Sequence, residues 1–231
     1  MKRFVYALAV VSLMVFSFSA NALAQNKTAN NLGFYAGLTV GASSGGGKAH
    51  YENAAWSGDY IDYEIVTDPG YLVGAKFGWQ TPFTKKALAL ELEYNHIANN
   101  FKDVQVDTPY GSFESPSDGN FRANLLMFNA LARYPDGWFH PYVGGGVGAA
   151  LVKLADMTQP YLISGADKTR PAYQFLIGVD FDITRNLILG VGYKFLFIPR
   201  IEYDGTVGNV PTRNTIDYNA HNLVANIYFT F

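Results

Sequence analysis

The chain has 231 residues, 16% charged and 16% aromatic, with a formal net charge of −2 and no cysteine. The missing cysteines exclude a disulfide framework and any thiolate metal site, and the weakly acidic balance excludes a nucleic-acid surface. A length of this order fits one domain, and sixteen Tyr, seventeen Phe and twenty-three Gly favour strands and turns over helices.

The first residues read as an export signal. Lys2 and Arg3 precede an apolar run from Phe4 to Ala20, and Ala22-Leu23-Ala24 forms a small-x-small cleavage site before Gln25. Residues 1–24 are therefore expected to be a signal peptide and 25–231 the mature domain. After residue 24 no apolar run approaches the length of a spanning helix, so any membrane crossing has to be made by strands.

Eight segments with period-2 alternation follow, which in an extended chain puts alternate side chains on opposite faces. The first, 34–43, sets Phe34, Ala36, Leu38, Val40 and Ala42 against Tyr35, Gly37, Thr39, Gly41 and Ser43. The second, 71–80, sets Tyr71, Val73, Ala75, Phe77 and Trp79 against a row containing Lys76 and Gln80. In the third, 87–96, Leu88, Leu90, Leu92 and Tyr94 oppose Ala89, Glu91, Glu93 and Asn95. The fourth, 121–134, is apolar on both faces at Leu125-Leu126-Met127-Phe128; the shared parity of Asn129 and Arg133 turns those two inward. The fifth, 139–151, carries Tyr142, Gly144, Gly146 and Gly148 on one row. The sixth, 172–183, opposes an apolar row to Gln174, Gly178, Asp180 and Asp182, and the seventh, 187–197, opposes one to Gly190, Gly192 and Lys194. In the eighth, 221–231, Leu223, Ala225, Ile227, Phe229 and Phe231 share one face.

Between these segments the connections alternate strictly. Long ones span roughly 44–70, 97–120, 152–171 and 198–220, and short ones 81–86, 135–138 and 184–186, the last three rich in turn formers. The bulky rows are the apolar ones, whereas the opposite rows hold Gly, Lys, Glu, Asp and Asn. A soluble barrel turns its apolar residues inward, so the pattern predicts an all-β, eight-stranded antiparallel up-and-down transmembrane β-barrel, with turns on the periplasmic side and loops outside. Trp79, Tyr134, Trp138, Phe181, Phe229 and Phe231 fall at the turn ends, as an aromatic girdle at one interface would.

Several motifs together resemble a known family. Phe34-Tyr35-x-Gly37, Glu91-Leu92-Glu93-Tyr94, Pro141-Tyr142-Val143-Gly144-Gly145-Gly146-Val147-Gly148, Gly192-Tyr193-Lys194-Phe195 and the terminal Tyr228-x-Thr230-Phe231 resemble the small outer-membrane β-barrel superfamily. That group includes opacity-type porins, outer-membrane protein X and the membrane domain of outer-membrane protein A. The resemblance implies a place in the outer membrane of a Gram-negative bacterium, contact with outer-membrane lipid and lipopolysaccharide, and insertion by the barrel-assembly machinery. It also implies that Tyr228, Phe229 and Phe231 form the C-terminal insertion signal. A peptidoglycan-binding extension is not expected after Phe231.

Charged residues on inward rows are the candidates for a site: Lys76, Glu91, Glu93, Arg133, Asp180, Asp182 and Lys194. A regular 81–86 hairpin would put Lys76 opposite Glu91. Charges in a narrow lumen have to pair, because unpaired burial costs several kcal/mol. The network reads either as a structural plug or as a gate. His50, His96, His140 and His221 lack ligand spacing, so no metal and no cofactor are expected. The deacylases within the resemblance would need a His and a Ser two apart on a late strand. His221 is followed instead by Asn222 and Leu223, and no serine lies beyond Ser164.

The expectation is a non-enzymatic surface protein whose four long extracellular loops serve envelope integrity, adhesion or interaction with a host ligand. The alternative is a small pore or channel for small polar or hydrophobic molecules.

Overall fold

The computed structural model describes residues 33–52, 60–108, 111–116, 120–154, 162–163, 166–207 and 210–231. The expected signal peptide at 1–24 lies outside the described residues. In chain order the strands are β1 (Phe34–Glu52), β2 (Tyr60–Thr67), β3 (Gly70–Gln80), β4 (Leu88–Thr108), β5 (Gly111–Pro116), β6 (Asn120–Arg133), β7 (Phe139–Leu154), β8 (Leu162–Ile163), β9 (Ala166–Asp182), β10 (Leu187–Val207) and β11 (Val210–Thr230).

Eight of them, β1, β3, β4, β6, β7, β9, β10 and β11, pair antiparallel in sequence order, and β11 returns to β1 from Tyr35↔Thr230 up to Tyr51↔Asn214. The wall is closed. β2 continues β3 above the break at Asp68-Pro69, pairing with the same two neighbours, and β5 pairs with the upper part of β4.

Burial follows the expected parity. On β6, Phe121, Leu125, Met127 and Asn129 are buried, whereas Leu126 and Phe128 are exposed on the outside. The same alternation runs through Leu38 and Val40, Phe77, Leu92, Val147, Tyr173, Phe175 and Ile177, Val191, and Leu223 and Ile227, all exposed on the outer face. Exposed apolar side chains in an unbroken circumferential band are the surface that lipid covers. At the turn end the band finishes in aromatics: Trp138 lies 5.7 Å from Phe181, Trp79 6.0 Å from Phe83 and Phe77 6.5 Å from Phe231, ring centre to ring centre.

The inner turns are tight. Thr81 opens a single 3-10 turn at Pro82–Thr84, and Lys85 and Lys86 both take positive φ (55° and 68°) to reverse the chain. Their amide groups donate to the Pro82 and Thr81 carbonyls at 3.0 Å each, which holds two non-glycine residues in that sparsely populated region.

The outer connections depart from expectation. Much of each stretch read as loop is strand, and the barrel wall continues well above the lipid band. Gly45-Gly46-Gly47 lies inside β1, and the β4–β5 ladder runs from Asp103↔Pro116 to Thr108↔Gly111. The stretch 198–220 is a ladder up to Val207↔Val210. A period-2 reading stops there because the register shifts between Ile198 and Ile201. The bulge at Pro199-Arg200, with Arg200 at φ 49°, moves the inward parity from even to odd residues. Ile198 and Ile201 are then both buried, and the Arg200 amide donates to Asp217 Oδ1 at 2.7 Å.

The face assignment has a direct test. Leu92→Arg puts a charge at mid-strand on the outer face and is expected to cost about 2–4 kcal/mol, while Asn100→Arg near the outer rim should cost less than about 1 kcal/mol. Refolding titrations into lipid vesicles measure both; the opposite order would mean that Leu92 does not face the hydrocarbon core.

Candidate functional site

Eight strands leave an interior just wide enough to be filled by side chains. Here the filling comes in two storeys. The lower, toward the tight turns, is polar and charged. The upper is largely apolar, with Asn95 and Asn99 buried beside Leu125 and Phe121.

In the lower storey two carboxylates are central. Glu91 Oε1 accepts the Tyr35 hydroxyl at 2.7 Å and faces Lys76 Nζ at 3.5 Å. Glu93, fully buried, is ion-paired to Lys194 through Oε1, and its Oε2 accepts the Asn129 and Gln174 side-chain amides, both at 3.1 Å. Gln174 also donates to Asn129 Oδ1 at 2.6 Å. Asn129 Nδ2 lies 3.5 Å from Glu91 Oε2, so the two ion pairs are bridged into one net-neutral network reaching across the lumen. The Lys76 ammonium also sits 5.1 Å from the centre of the Tyr228 ring, a favourable position for a cation.

The expected facing of Lys76 and Glu91 requires correction. In the ladder Lys76 stands opposite Glu93, and Glu91 stands opposite Gly78. The 3-10 turn and its two positive-φ lysines lengthen the connection and set this register. Lys76 reaches Glu91 on the diagonal, and the Tyr35 ring fills the space that Gly78, lacking a side chain, leaves open.

A second group lies nearer the turns. Arg133 Nε is 3.5 Å from Asp180 Oδ2, and its Nη2 is 4.0 Å from Asp182 Oδ1. His140 is 3% exposed, with Nδ1 2.9 Å from the Tyr134 carbonyl and Nε2 3.0 Å from Asp182 Oδ2. Asp182, expected in the lumen, sits on the rim with 39% of its side chain exposed. It is the last residue of β9, where the wall no longer encloses it.

Sequence reasoning missed Tyr35, His140 and the bridging part of Asn129 and Gln174. His140 was legible in principle: it has inward parity and faces Asp180 in the ladder. The bridging amides were not, because a contact such as Gln174 to Glu93 crosses the lumen between strands that are not neighbours in the sheet.

The upper storey was not anticipated. Leu72, Ile97, Phe121, Leu125, Met127, Val152, Leu196, Ile198, Ile201 and Ile216 form one buried apolar cluster, capped by Phe121 stacked on Tyr218 at 3.8 Å. It explains why Leu125-Leu126-Met127-Phe128 is apolar on both faces: Leu125 and Met127 face this plug, and Leu126 and Phe128 face lipid.

At the C-terminus, Phe229 is half-exposed on the outer face and the Phe231 amide donates to the Phe34 carbonyl at 3.0 Å. Tyr228 instead points inward, 5.2 Å from the Tyr35 ring. Among the described residues, no group of three or more His, Cys, Asp or Glu could hold a metal.

The family model described as outer membrane protein beta-barrel domain matches residues 9–231. No curated protein sequence matches the chain. Among solved structures it is similar to the outer membrane protease OmpT from Escherichia coli (10% identity, TM-score 0.56, covering 90% of this chain and 99% of that one). It is also similar to OprG from Pseudomonas aeruginosa (10%, 0.55, 86% and 97%) and to Neisserial surface protein A (16%, 0.51, 86% and 97%). At these identities the likeness concerns the fold.

Removing one partner of a buried pair strands the other charge. Lys194→Ala should therefore destabilise the barrel by about 3–5 kcal/mol, and Lys194→Met combined with Glu93→Gln should recover most of it. Additive losses in a double-mutant cycle, measured by reversible unfolding in lipid, would show that the two residues act independently.

Proposed function

The chain belongs to the outer membrane protein beta-barrel domain family, and from that premise we propose that it is a non-enzymatic surface scaffold of the Gram-negative outer membrane. Its closed wall holds the extracellular hairpins and loops in place for envelope integrity, adhesion or contact with a host ligand. The proposal includes export through the 1–24 signal and recognition of Tyr228, Phe229 and Phe231 by the barrel-assembly machinery.

The observation that carries this reading is the double filling of the lumen. A neutral network of Lys76, Glu91, Glu93 and Lys194 lies under an apolar plug from Leu72 to Val224. Water would have to cross both a desolvated ion network and a hydrophobic constriction, and neither favours conduction. Among the described lumen carboxylates, Glu91, Glu93 and Asp180 each face a lysine or arginine, and Asp182 on the rim pairs with His140 and Arg133.

The alternative, a path for small molecules, has one feature in its favour. Between β1, β10 and β11 an apolar groove opens on the lipid side, lined by Val40, Val191, Leu223 and Ala225 with Gly41 and Gly192 at its base. Its outer lining is apolar, while the space behind the two glycines is taken by the Val224 side chain and the Tyr142 hydroxyl. That arrangement suits small apolar molecules.

Two measurements separate the readings. The purified barrel is expected to give no steady conductance in planar bilayers, and a stable single-channel step would move the pore reading ahead. Shortening residues 46–64 and 100–118 to tight turns should leave heat-modifiable folding intact, because the ladders below Gly45 and Asn99 remain. The same change should abolish surface binding by whole cells; binding retained in full would defeat the scaffold reading.

A further inference from the structure

Four side chains around Glu93 do more than balance charge. Glu93 reaches inward from β4, Asn129 from β6, Gln174 from β9 and Lys194 from β10, and all four are buried. One Glu93 oxygen holds the Lys194 ammonium, and the other accepts the Asn129 carboxamide N–H at 3.1 Å. A single carboxylate therefore brings an amine and an amide together. The Asn129 carbonyl oxygen accepts the Gln174 amide at 2.6 Å, and Gln174 is itself fixed by its bond to Glu93 Oε2 at 3.1 Å.

These are the parts that an acyl transfer needs. A lysine nitrogen is a nucleophile once an adjacent base has taken its proton. A donor aimed at a carbonyl oxygen stabilises the negative charge that develops there when the carbon is attacked. The leaving nitrogen needs a proton, and the acid within reach of Asn129 Nδ2 is the same Glu93. Fixing all the groups in one place removes the entropic part of the barrier. Water is the competing nucleophile, and Glu93 and Asn129 are both 0% exposed.

We propose that Lys194 and Asn129 join in an isopeptide bond that the barrel forms unaided. The Lys194 ammonium gives a proton to Glu93, and the free Nζ attacks Asn129 Cγ, whose oxygen is held by Gln174. Glu93 then relays a second proton from Nζ to Nδ2. The Nζ–Cγ bond has formed, the Cγ–Nδ2 bond breaks and ammonia departs. An ammonium and a carboxylate become a neutral amide and a neutral carboxylic acid, so charge balances and no oxidant or activating group is consumed. The ion pair described above is the arrangement before the bond forms, and the double-mutant cycle on it reads freshly refolded protein. Glu91 offers a looser version, with Lys76 Nζ and Asn129 Nδ2 each at 3.5 Å. The shorter Asn129 contact and the Gln174 bond both belong to Glu93, which makes Lys194 the nucleophile. The product ties β6 to β10, strands that share no ladder, with a covalent strut across the lumen.

The test uses the full barrel, extracted folded from outer membranes, held overnight at growth temperature, then denatured, digested with trypsin and mapped by mass spectrometry. Peptides 123–133 and 186–200 should appear as one linked species, uncleaved after Lys194 and lighter than their sum by the roughly 17 Da of one ammonia. The linked peptide is the readout because an N-terminal Gln25 loses the same mass on cyclising. Lys194→Arg keeps the cation without the nucleophile, and Glu93→Gln removes the base; both should give separate peptides. Gln174→Leu should slow linkage in freshly refolded protein roughly 100-fold. Heat-modifiable mobility checks that each variant is folded. Separate peptides from the folded parent, linkage through Lys76, or linkage at the parental rate in folded Glu93→Gln would each overturn the bond. The parental rate in Gln174→Leu would overturn the activation of the Asn129 carbonyl.

Discussion

Hydrocarbon offers no hydrogen bonds, so every backbone N–H and C=O that enters it must find a partner within the protein. For a sheet the solution is closure, and the β1–β11 ladder supplies it. The rest of the structure follows from that ladder. Closing on eight strands sets a narrow interior, and the small radius forces the inward residues to fill one another's space. Gly178 and Gly192 show the constraint locally: a Cβ at either would lie within 2.6 Å of the Tyr142 hydroxyl. One tyrosine occupies the volume that two side chains would otherwise need.

What fills the lumen differs between its two ends, and the difference has physical consequences. Charges can be buried in the lower storey because each carboxylate meets a cation and the leftover acceptors meet amides. Such a network is a poor source of net stability, since the desolvation of each ion offsets much of the attraction. Its effect is specificity, because a one-residue slip of β4 would turn Glu91 and Glu93 into lipid. The apolar upper storey works in the opposite way. It depends on packing, tolerates some rearrangement, and provides a rigid floor for the extended hairpins above it.

The outer surface is asymmetric along the membrane normal. At the turn end it finishes in Trp79, Trp138, Phe181 and Phe229, rings that sit well at an interface and carry no charge. At the other end it finishes in Tyr71, His96, Asn124, Arg122 and Lys153, and on the far wall in the Tyr193 hydroxyl 2.5 Å from His221 Nδ1. One rim is aromatic and the other mixed polar and cationic. The two rims therefore meet chemically different surroundings.

The sequence by itself determined the faces and the strand count of the barrel. Those depend on period-2 alternation and on the contrast between tight turns and long connections, both local properties of the chain. Asn129 and Arg133 were enough to orient the ambiguous β6, and Lys76, Glu91, Glu93, Arg133, Asp180 and Lys194 were placed inward from parity alone. Tertiary structure decided the partners. Register depends on turn geometry, and the positive-φ pair Lys85-Lys86 put Lys76 opposite Glu93 where a regular hairpin would have met Glu91. The height of the wall depended on the bulge at Pro199-Arg200, which breaks the period that a pattern search follows. The contacts from Gln174 to Glu93 and from Lys194 to Glu93 join residues 81 and 101 positions apart. Only the curvature of a closed sheet brings such residues together, and no local pattern encodes which side chains meet across it.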